Sequence, residues 1–319
     1  MPLLRLIVFA AVILFSPLGL SAAEHAAEAA EHGTAADHAG AAAGHEKHEG
    51  LPLYAIPVFK LGPLAVTNSM LVSWVVAILL IIGARLAMRN PQVVPSGAQN
   101  FWEWLVEGLY NFLEGIIGYD LAKKTFWFFA TLFIVILACN WFGLIPGVGS
   151  VGWGEPGPDG KLHHIAQPLL RGANADLNMT LAMAMIFFVL WTIWALQANG
   201  PGGFILHIFG PKGETQGFMK VLMIVVFLLV GVLEVVSIMF RPVSLSFRLF
   251  GNIFAGENML EAMATLVPSL GWLIPIPFYF MELLVGLVQA LVFMLLTAVF
   301  TLLICTHDDA EHGAHAHEH

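Results

Sequence analysis

Charged residues are scarce in this chain. Only 11% of its 319 residues are Asp, Glu, Lys or Arg, whereas 58% are hydrophobic. Because a soluble domain carries roughly 25% charged residues, a surface exposed to water on all sides is excluded. The composition instead predicts a polytopic bundle of transmembrane helices, an all-α fold class in which frequent Gly and Pro are tolerated.

Cysteine is scarce, and the common catalytic motifs are missing. Cys139 and Cys305 each lie in an apolar run, which favours small buried hydrophobic side chains over a disulfide or a metal pair. The patterns HExxH, GxSxG and the phosphate-binding P-loop do not occur in the sequence. We therefore expect a non-catalytic chain that binds no cofactor, metal or nucleic acid.

The first 60 residues predict an exported segment. Residues 1–23 are typical of a signal peptide, with Arg5, an apolar run and the small residues 21–23 at the cleavage position. An uncleaved anchor is the alternative. Residues 24–60 are rich in Ala and His, and at least up to residue 50 they are too poor in aromatic and β-branched residues to build a core. We expect this segment to be largely disordered.

Histidines cluster at both ends of the chain. Neither cluster has a tight ligand spacing, so solvated tails are favoured over loose metal sites. The clusters are His25, His32, His38, His45 and His48 near the start, and His307, His312, His315, His317 and His319 at the end. The second lies in residues 307–319, a His-rich acidic tail expected in the cytoplasm beyond a membrane domain at 61–306.

Three apolar spans are predicted before residue 200, at Ser69–Met88, Thr125–Ile145 and Met179–Gln197. Each has about the 20 residues that cross a bilayer. Between the first two, Gln99–Gly118 predicts an amphipathic helix in the membrane interface rather than a span. Its apolar face consists of Trp102, Leu105, Val106, Leu109, Phe112, Leu113 and Ile116.

The positions of Lys and Arg predict the orientation of these spans. Arg85 and Arg89 close the first span, and Lys123-Lys124 precedes the second. By the positive-inside rule both places are cytoplasmic, which agrees with an exported N-terminus. Two cations in the exported loop run against this trend, namely Lys161 and Arg171.

The last third of the chain allows two topologies. Residues 217–267 are apolar except at Glu234, at Arg241-Pro242 and around Arg248. Hydropathy prefers two spans divided at Arg241-Pro242, because an upright span needs only about 20 residues. One long, tilted and kinked helix is the alternative. A turn at 268–277 and a final apolar helix at 278–305 follow. Because no Lys or Arg follows Arg248, the charge bias cannot decide between the two topologies.

Arg248 carries the functional hypothesis, because an arginine within a span is costly and therefore functional by default. Asn252 shares its helical face, whereas Glu257, nine positions on, lies near the opposite face. In the final helix, Glu282 and Gln289 share one face. If the turn is tight, Glu257 and Glu282 reach a similar depth, and the four polar residues descend towards Arg248 like the lining of a water-filled path.

A second polar pair lies on the other side of Arg248. Glu234 and Ser237 are three positions apart and share a face. Two polar paths thus approach one arginine from opposite ends without being joined in the sequence. A permanent cation between them suits a proton path, because arginine keeps its proton in proteins and its charge repels protons from either side.

The run RPVSLSFRLFGNIFAGE, from Arg241 to Glu257, resembles the motif of subunit a of F-type ATP synthases. Gln289–Thr297 resembles the last helix of that family, and Asp176–Asn178 resembles the start of its third span. The resemblance covers about 69–305 and implies a proton-translocating subunit with two offset half-channels. It implies that Arg248 is the stator arginine facing a rotating ring of c subunits. The implied linings are Asn252, Glu257, Glu282 and Gln289 on the periplasmic side, and Glu234 and Ser237 on the cytoplasmic side.

The resemblance also implies a topology and partners. The last two helices would be long, tilted and antiparallel, each crossing a bacterial inner membrane once, with a periplasmic N-terminus and a cytoplasmic C-terminus. The implied partners are the c ring, the b subunits of the peripheral stalk, the remaining synthase subunits and membrane lipid. One departure concerns Glu282, where many bacterial relatives carry histidine, so the relative roles of Glu257 and Glu282 stay open.

Two other functions compete with this one. A secondary cation or metal transporter fed by the His-rich tails is the first, although no internal repeat of the kind found in such transporters is evident. A passive assembly anchor is the second, for which an arginine inside a span would be a needless cost.

Overall fold

The computed structural model describes residues 55, 57–61, 64–145, 147–148, 151–153, 167–209, 218–266 and 270–305. Six helices dominate these ranges: α1 (Asn68–Ala87), α2 (Ala98–Ile117), α3 (Tyr119–Gly143), α4 (Leu177–Phe209), α5 (Phe218–Leu266) and α6 (Pro275–Cys305). All except α2 are long and apolar enough to cross a membrane. The predicted all-α polytopic fold is confirmed.

The predicted ends of the chain lie outside the described residues. These are the signal peptide at 1–23, most of the segment at 24–60, and the tail at 307–319. The histidine clusters of the last two lie outside the described residues as well. Their boundaries stay predictions.

α5 is one continuous helix of 49 residues. At 1.5 Å per residue it is about 73 Å long, more than twice the roughly 30 Å of a hydrocarbon core, so a single crossing requires strong tilt or curvature. Pro242 lies inside α5 without dividing it. The preference of hydropathy for two spans was therefore wrong, and the single long helix implied by the resemblance is confirmed. After a turn at 270–274, α6 returns antiparallel to α5.

The core lies where α3, α4, α5 and α6 meet. Its largest fully buried side chains include Phe129 and Ile136 of α3, Phe187 of α4 and Phe293 of α6. Since lipid tails are as apolar as these side chains, close packing and interhelical hydrogen bonds hold a membrane bundle together. Three of these interhelical bonds run from Trp191 Nε1 to Phe300 O at 3.0 Å, from Asn199 Nδ2 to Ile304 O at 3.0 Å, and between the hydroxyls of Thr180 and Ser246 at 2.9 Å.

α2 is the predicted amphipathic helix, but only part of its apolar face is covered by protein. Leu109 and Leu113 are buried against α3, whereas Val106 and Phe112 remain 40% and 42% exposed. The apolar face is thus wider than the contact with the bundle. The uncovered part faces outward, as in a helix lying at the membrane interface.

Short strands, which the sequence analysis did not predict, flank α1 and the loop before α4. β1 (Pro57–Leu61) pairs antiparallel with β2 (Leu64–Thr67), and β3 (Gly152–Trp153) pairs with β4 (Gln167–Pro168). A 3₁₀ turn at Ala173–Ala175 then leads into α4. Hydrogen bonds from Asn68 to Pro168 O and from Ser69 to Asp176 hold the start of α1 beside the residues that precede α4.

α4 contains a break at Gly200, just before Pro201. Gly200 has φ 69° and ψ 164°, while the residues on both sides are helical. This region of backbone space is open in practice only to glycine. The break follows Asn199, whose Nδ2 donates to Ile304 O near the end of α6.

We predict that Gly200→Ala destabilises the protein by about 1–3 kcal/mol, the cost of a side chain in this backbone region. Thermal unfolding of the detergent-solubilised protein measures the loss. Gly202→Ala is the matched control, because Gly202 is helical and a Cβ there meets nothing within 4 Å. Equal melting temperatures for the two variants would contradict the assignment of strain to Gly200.

Candidate functional site

The outward face of α5 carries Arg248 among apolar side chains. Arg248 is exposed, and so are Leu233 at 68%, Phe240 at 64% and Phe247 at 54%. Ser237 and Asn252 are exposed on this stripe as well. An ionised side chain facing hydrocarbon costs about 2.5–3.5 kcal/mol even on the mildest scale. This face therefore calls for a partner that offers a negative charge.

The two predicted carboxylates meet at the inner face of α5, one from α5 and one from α6. Glu282 of α6 is only 4% exposed, and its carboxylate lies directly against Gly256 of α5, where a Cβ would overlap it. Glu257 is the residue after Gly256, and it is close enough to Glu282 to interact electrostatically. The expectation that both carboxylates reach the same depth beside the turn is met in the structure.

A hydrogen bond connects the outward face of α5 with this interior. Asn252 Nδ2 donates to Gln289 Oε1 over 2.7 Å. Asn252 is exposed, one turn from Arg248, while Gln289 is only 5% exposed. Polar atoms thus continue from the arginine, through α5, to the face of α6 that carries Glu282.

The second predicted pair lies towards the start of α5. Glu234 is half-buried and Ser237 is exposed. Between them and Arg248 lies Arg241, which the sequence analysis treated only as an interruption of the apolar run. Its guanidinium carbon lies 4.6 Å from the ring centroid of Phe300 and 5.7 Å from that of Trp191. Arg248 is thus not the only cation between Glu234 and Asn252, but Arg241 is turned onto aromatic rings of α4 and α6.

The sequence analysis also missed Arg171, which it treated as a loop cation against the charge trend. The Arg171 side chain is only 3% exposed, and its Nε lies 3.7 Å from Glu257 Oε2. The neighbouring Gly172 lies against the Glu257 carboxylate, leaving no room for a Cβ. The signal available in the sequence was weak: an Arg-Gly pair five residues before Asp176-Leu-Asn.

The segment 167–176, called here the Arg171 segment, is fastened to α1 and α3. Asn68 Nδ2 donates to Pro168 O at 3.0 Å, and Ser69 Oγ lies 2.6 Å from Asp176 Oδ2. Burial raises the pKa of the Asp176 carboxyl, although the hydrogen bonds from Ser69 and Asn178 and the charge of Arg171 oppose the shift.

On the α3 side, Asn174 Nδ2 donates to Asn140 Oδ1 at 2.6 Å and to Ile136 O at 3.2 Å. Asn140 in turn donates to Gly286 O of α6 at 2.9 Å. These buried amides join the Arg171 segment to α3 and, through Asn140, to α6.

The polar groups of this arrangement suit the movement of protons. Among the described residues, no group of three or more His, Cys, Asp or Glu has the geometry to hold a metal ion. What the site does offer is a chain of groups that exchange or relay protons, with one cation exposed at its end.

Comparison with known proteins identifies the family. A family model described as "ATP synthase A chain" matches residues 70–301. The ATP synthase subunit a of Moorella thermoacetica is 31% identical over 245 residues, covering 77% of this chain and 94% of the relative. That of Gloeobacter violaceus is 33% identical over 243 residues, covering 76% and 85%.

The chain belongs to the ATP synthase A chain family. All seven predicted site residues, which lie between 234 and 289, fall within the range matched by the ATP synthase A chain model. Together with the five apolar helices, membership makes the chain a multi-pass membrane protein. It supports the resemblance drawn from the Arg248 motif and gives no support to a secondary transporter.

We predict that Gly256→Ala lowers the melting temperature of the solubilised protein, because the new Cβ overlaps the Glu282 carboxylate. Gly251→Ala on the same helix is the control, since a Cβ there meets nothing within 4 Å. Combining Gly256→Ala with Glu282→Asp should recover part of the loss, since the shorter side chain withdraws the carboxylate. A loss that Glu282→Asp does not relieve would show that this contact is not the cause.

Proposed function

We propose that the chain translocates protons as subunit a of an F-type ATP synthase, through two offset half-paths that end at Arg248. The observation that supports this most is the division of α5 into two faces. Arg248 is exposed on an apolar outward face, whereas Glu257 and Glu282 lie behind Gly256 inside the bundle. The Asn252–Gln289 hydrogen bond joins the two sides.

The outward face of α5 is the contact for a ring of c subunits. Each ring subunit carries a carboxylate that is neutral in lipid and ionises beside Arg248. Arginine suits this role because its pKa stays too high for it to lose the proton in a protein. Its permanent charge also repels protons arriving from either half-path, which prevents a direct leak.

The uptake half-path runs from the exported side through Glu257, Glu282, Gln289 and Asn252. Two carboxylates at short range can share a proton, and the amides of Gln289 and Asn252 continue the polar line to Arg248. The release half-path leads to the cytoplasm past Glu234 and Ser237. Because the two half-paths are offset, a proton completes the crossing only by riding on the ring.

The chain is a component of the synthase complex and has no catalytic role of its own. Its further partners are the b subunits of the peripheral stalk, the other synthase subunits and lipid. It lies in a bacterial inner membrane, with a periplasmic N-terminus and a cytoplasmic C-terminus.

Arg248→Ala is predicted to abolish proton-driven ATP synthesis while leaving the subunit assembled. Assembly survives because Arg248 is exposed rather than part of the core. Arg248→Lys should also fail or nearly fail, since lysine loses its proton more readily when desolvated and lacks the planar fork. The measurement is the rate of ATP synthesis in membrane vesicles, divided by the amount of assembled subunit.

Arg89→Ala is the control for this experiment, because Arg89 is also exposed but lies beyond the end of α1. It should synthesise ATP at the normal rate. Near-normal coupled turnover in the Arg248→Ala variant would defeat the proposed mechanism. A fall in assembled protein with normal turnover per subunit would mean that Arg248 only supports the fold.

The orientation is tested with a reporter fused after His319. Five crossings and an exported N-terminus predict a cytoplasmic C-terminus. A reporter that fluoresces only in the cytoplasm should therefore be bright, and one that is active only in the periplasm should be silent. The reverse pattern would require an even number of crossings or an inverted bundle.

A further inference from the structure

Arg171 is a buried cation delivered by a loop. Its side chain is 3% exposed, although it lies in an irregular segment between β4 and the 3₁₀ turn. A buried charge carries a large desolvation cost unless it is paired and hydrogen-bonded. The segment thus brings a cation to one particular place inside the bundle.

That place is the inner face of α5, away from Arg248. Arg171 Nε lies 3.7 Å from Glu257 Oε2, and its guanidinium carbon lies 5.8 Å from the ring centroid of Phe254. Phe254 and Glu257 are three positions apart and so share a helical face. The guanidinium lies along this face and meets α5 at its carboxylate.

Close packing leaves the Glu257 carboxylate little freedom. Gly172 lies against it on one side, and a Cβ on Gly143 of α3 would in turn come within 3.0 Å of Gly172 Cα. Gly256, the residue before Glu257, lies against the Glu282 carboxylate in the same way. Two glycines thus make room for two carboxylates, because a Cβ at either position would overlap the carboxylate beside it.

Hydrogen bonds fix the Arg171 segment both before and after Arg171 in the sequence. Pro168 O is held by Asn68, and Asn174 and Asp176 are held by Asn140 and Ser69 respectively. An arginine on such a support has a defined position relative to its partner. This distinguishes Arg171 from a surface cation that happens to reach a carboxylate.

We propose that Arg171 is a positioning residue for proton uptake, a fixed counter-charge that offsets the cost of burying an ionised Glu257 carboxylate and keeps it beside Glu282 between successive proton transfers. This rests on the proposed function, and it adds a second arginine with a task different from that of Arg248. Arg248 acts on the ring carboxylate, whereas Arg171 acts on the first carboxylate of the uptake half-path.

The charged groups around Glu257 determine the sign of the effect. Among the described residues they are Arg171 (which also interacts with Asp176), Glu282 from α6, and Glu261 one turn along α5. Arg171 is the only cation in this set. An opposite charge at this range favours the ionised form of a carboxylate by about 1–3 pH units. Without it, we expect proton uptake to continue at a higher pH on the exported side, with a slower transfer to Glu282.

The test uses the complete ATP synthase reconstituted in vesicles, with fixed potential and fixed pH on the cytoplasmic side. ATP synthesis per assembled complex is measured as the pH on the exported side is varied. For Arg171→Gln we expect the half-maximal pH to rise by about one unit or more, with a lower maximal rate. Arg171→Lys should restore most of the profile, since it keeps the charge. Arg89→Gln should leave the profile unchanged.

A second arm asks whether Arg171 acts through Glu257. In a Glu257→Gln background, adding Arg171→Gln should change the pH profile no further. The double variant removes both buried charges together. Its comparison with Glu257→Gln therefore still tests the proposal if Arg171→Gln alone fails to assemble. A further shift in the double variant would overturn the proposal.

The outcomes separate this inference from the proposed function. An unshifted profile in assembled Arg171→Gln, beside an inactive Arg248→Ala, would overturn the role of Arg171 and leave the proton path intact. Normal synthesis in both variants would defeat the proposed function itself. Fewer assembled complexes with an unshifted profile would reduce Arg171 to a structural residue.

Discussion

The cost of an ionised side chain in hydrocarbon governs the arrangement of α5 and α6. Every charge within these helices must meet protein, water or a partner of opposite charge. Glu257 meets Arg171, Glu282 is enclosed behind Gly256, and Arg241 lies over two aromatic rings. Arg248 alone among these four is exposed on the outward face. The exception is informative, because it is the observation on which the proposed contact with a partner subunit rests.

Helical geometry then keeps the two kinds of charge apart. Arg248 and Glu257 are nine positions apart on α5, so they point to nearly opposite sides. A cation and a carboxylate on the same face would neutralise each other and remove the reason for a partner. The amide pair Asn252–Gln289 spans the helix without adding charge. Polar atoms thus continue across α5 while the fixed charges remain separate.

The sequence alone predicted the parts of the structure that depend on local composition. The positions of α1, α3, α4 and α6 follow from apolar runs, and the faces of Arg248, Asn252 and Glu257 follow from helical periodicity. Hydropathy erred on α5, because a window of 20 residues carries no information about tilt.

The parts that were missed depend on contacts between distant residues. Arg171 looks like a solvent-exposed loop cation until α5 is packed against it, and the glycines at 172 and 256 matter only because carboxylates occupy the space beside them. Arg241 was read as an interruption because its aromatic partners come from two other helices. No periodic pattern in the sequence marks Arg171, the two glycines or Arg241.

The fastening of the Arg171 segment has a consequence for biogenesis. Its hydrogen-bonding partners Asn68, Ser69, Ile136 and Asn140 all lie in α1 and α3, so every one of them leaves the ribosome before α5 is made. Chains fold from the N-terminus as they are synthesised. The support of the Arg171 segment is therefore synthesised before α5, and the longest of the candidate spans meets a cation whose hydrogen-bonded support precedes it in the chain.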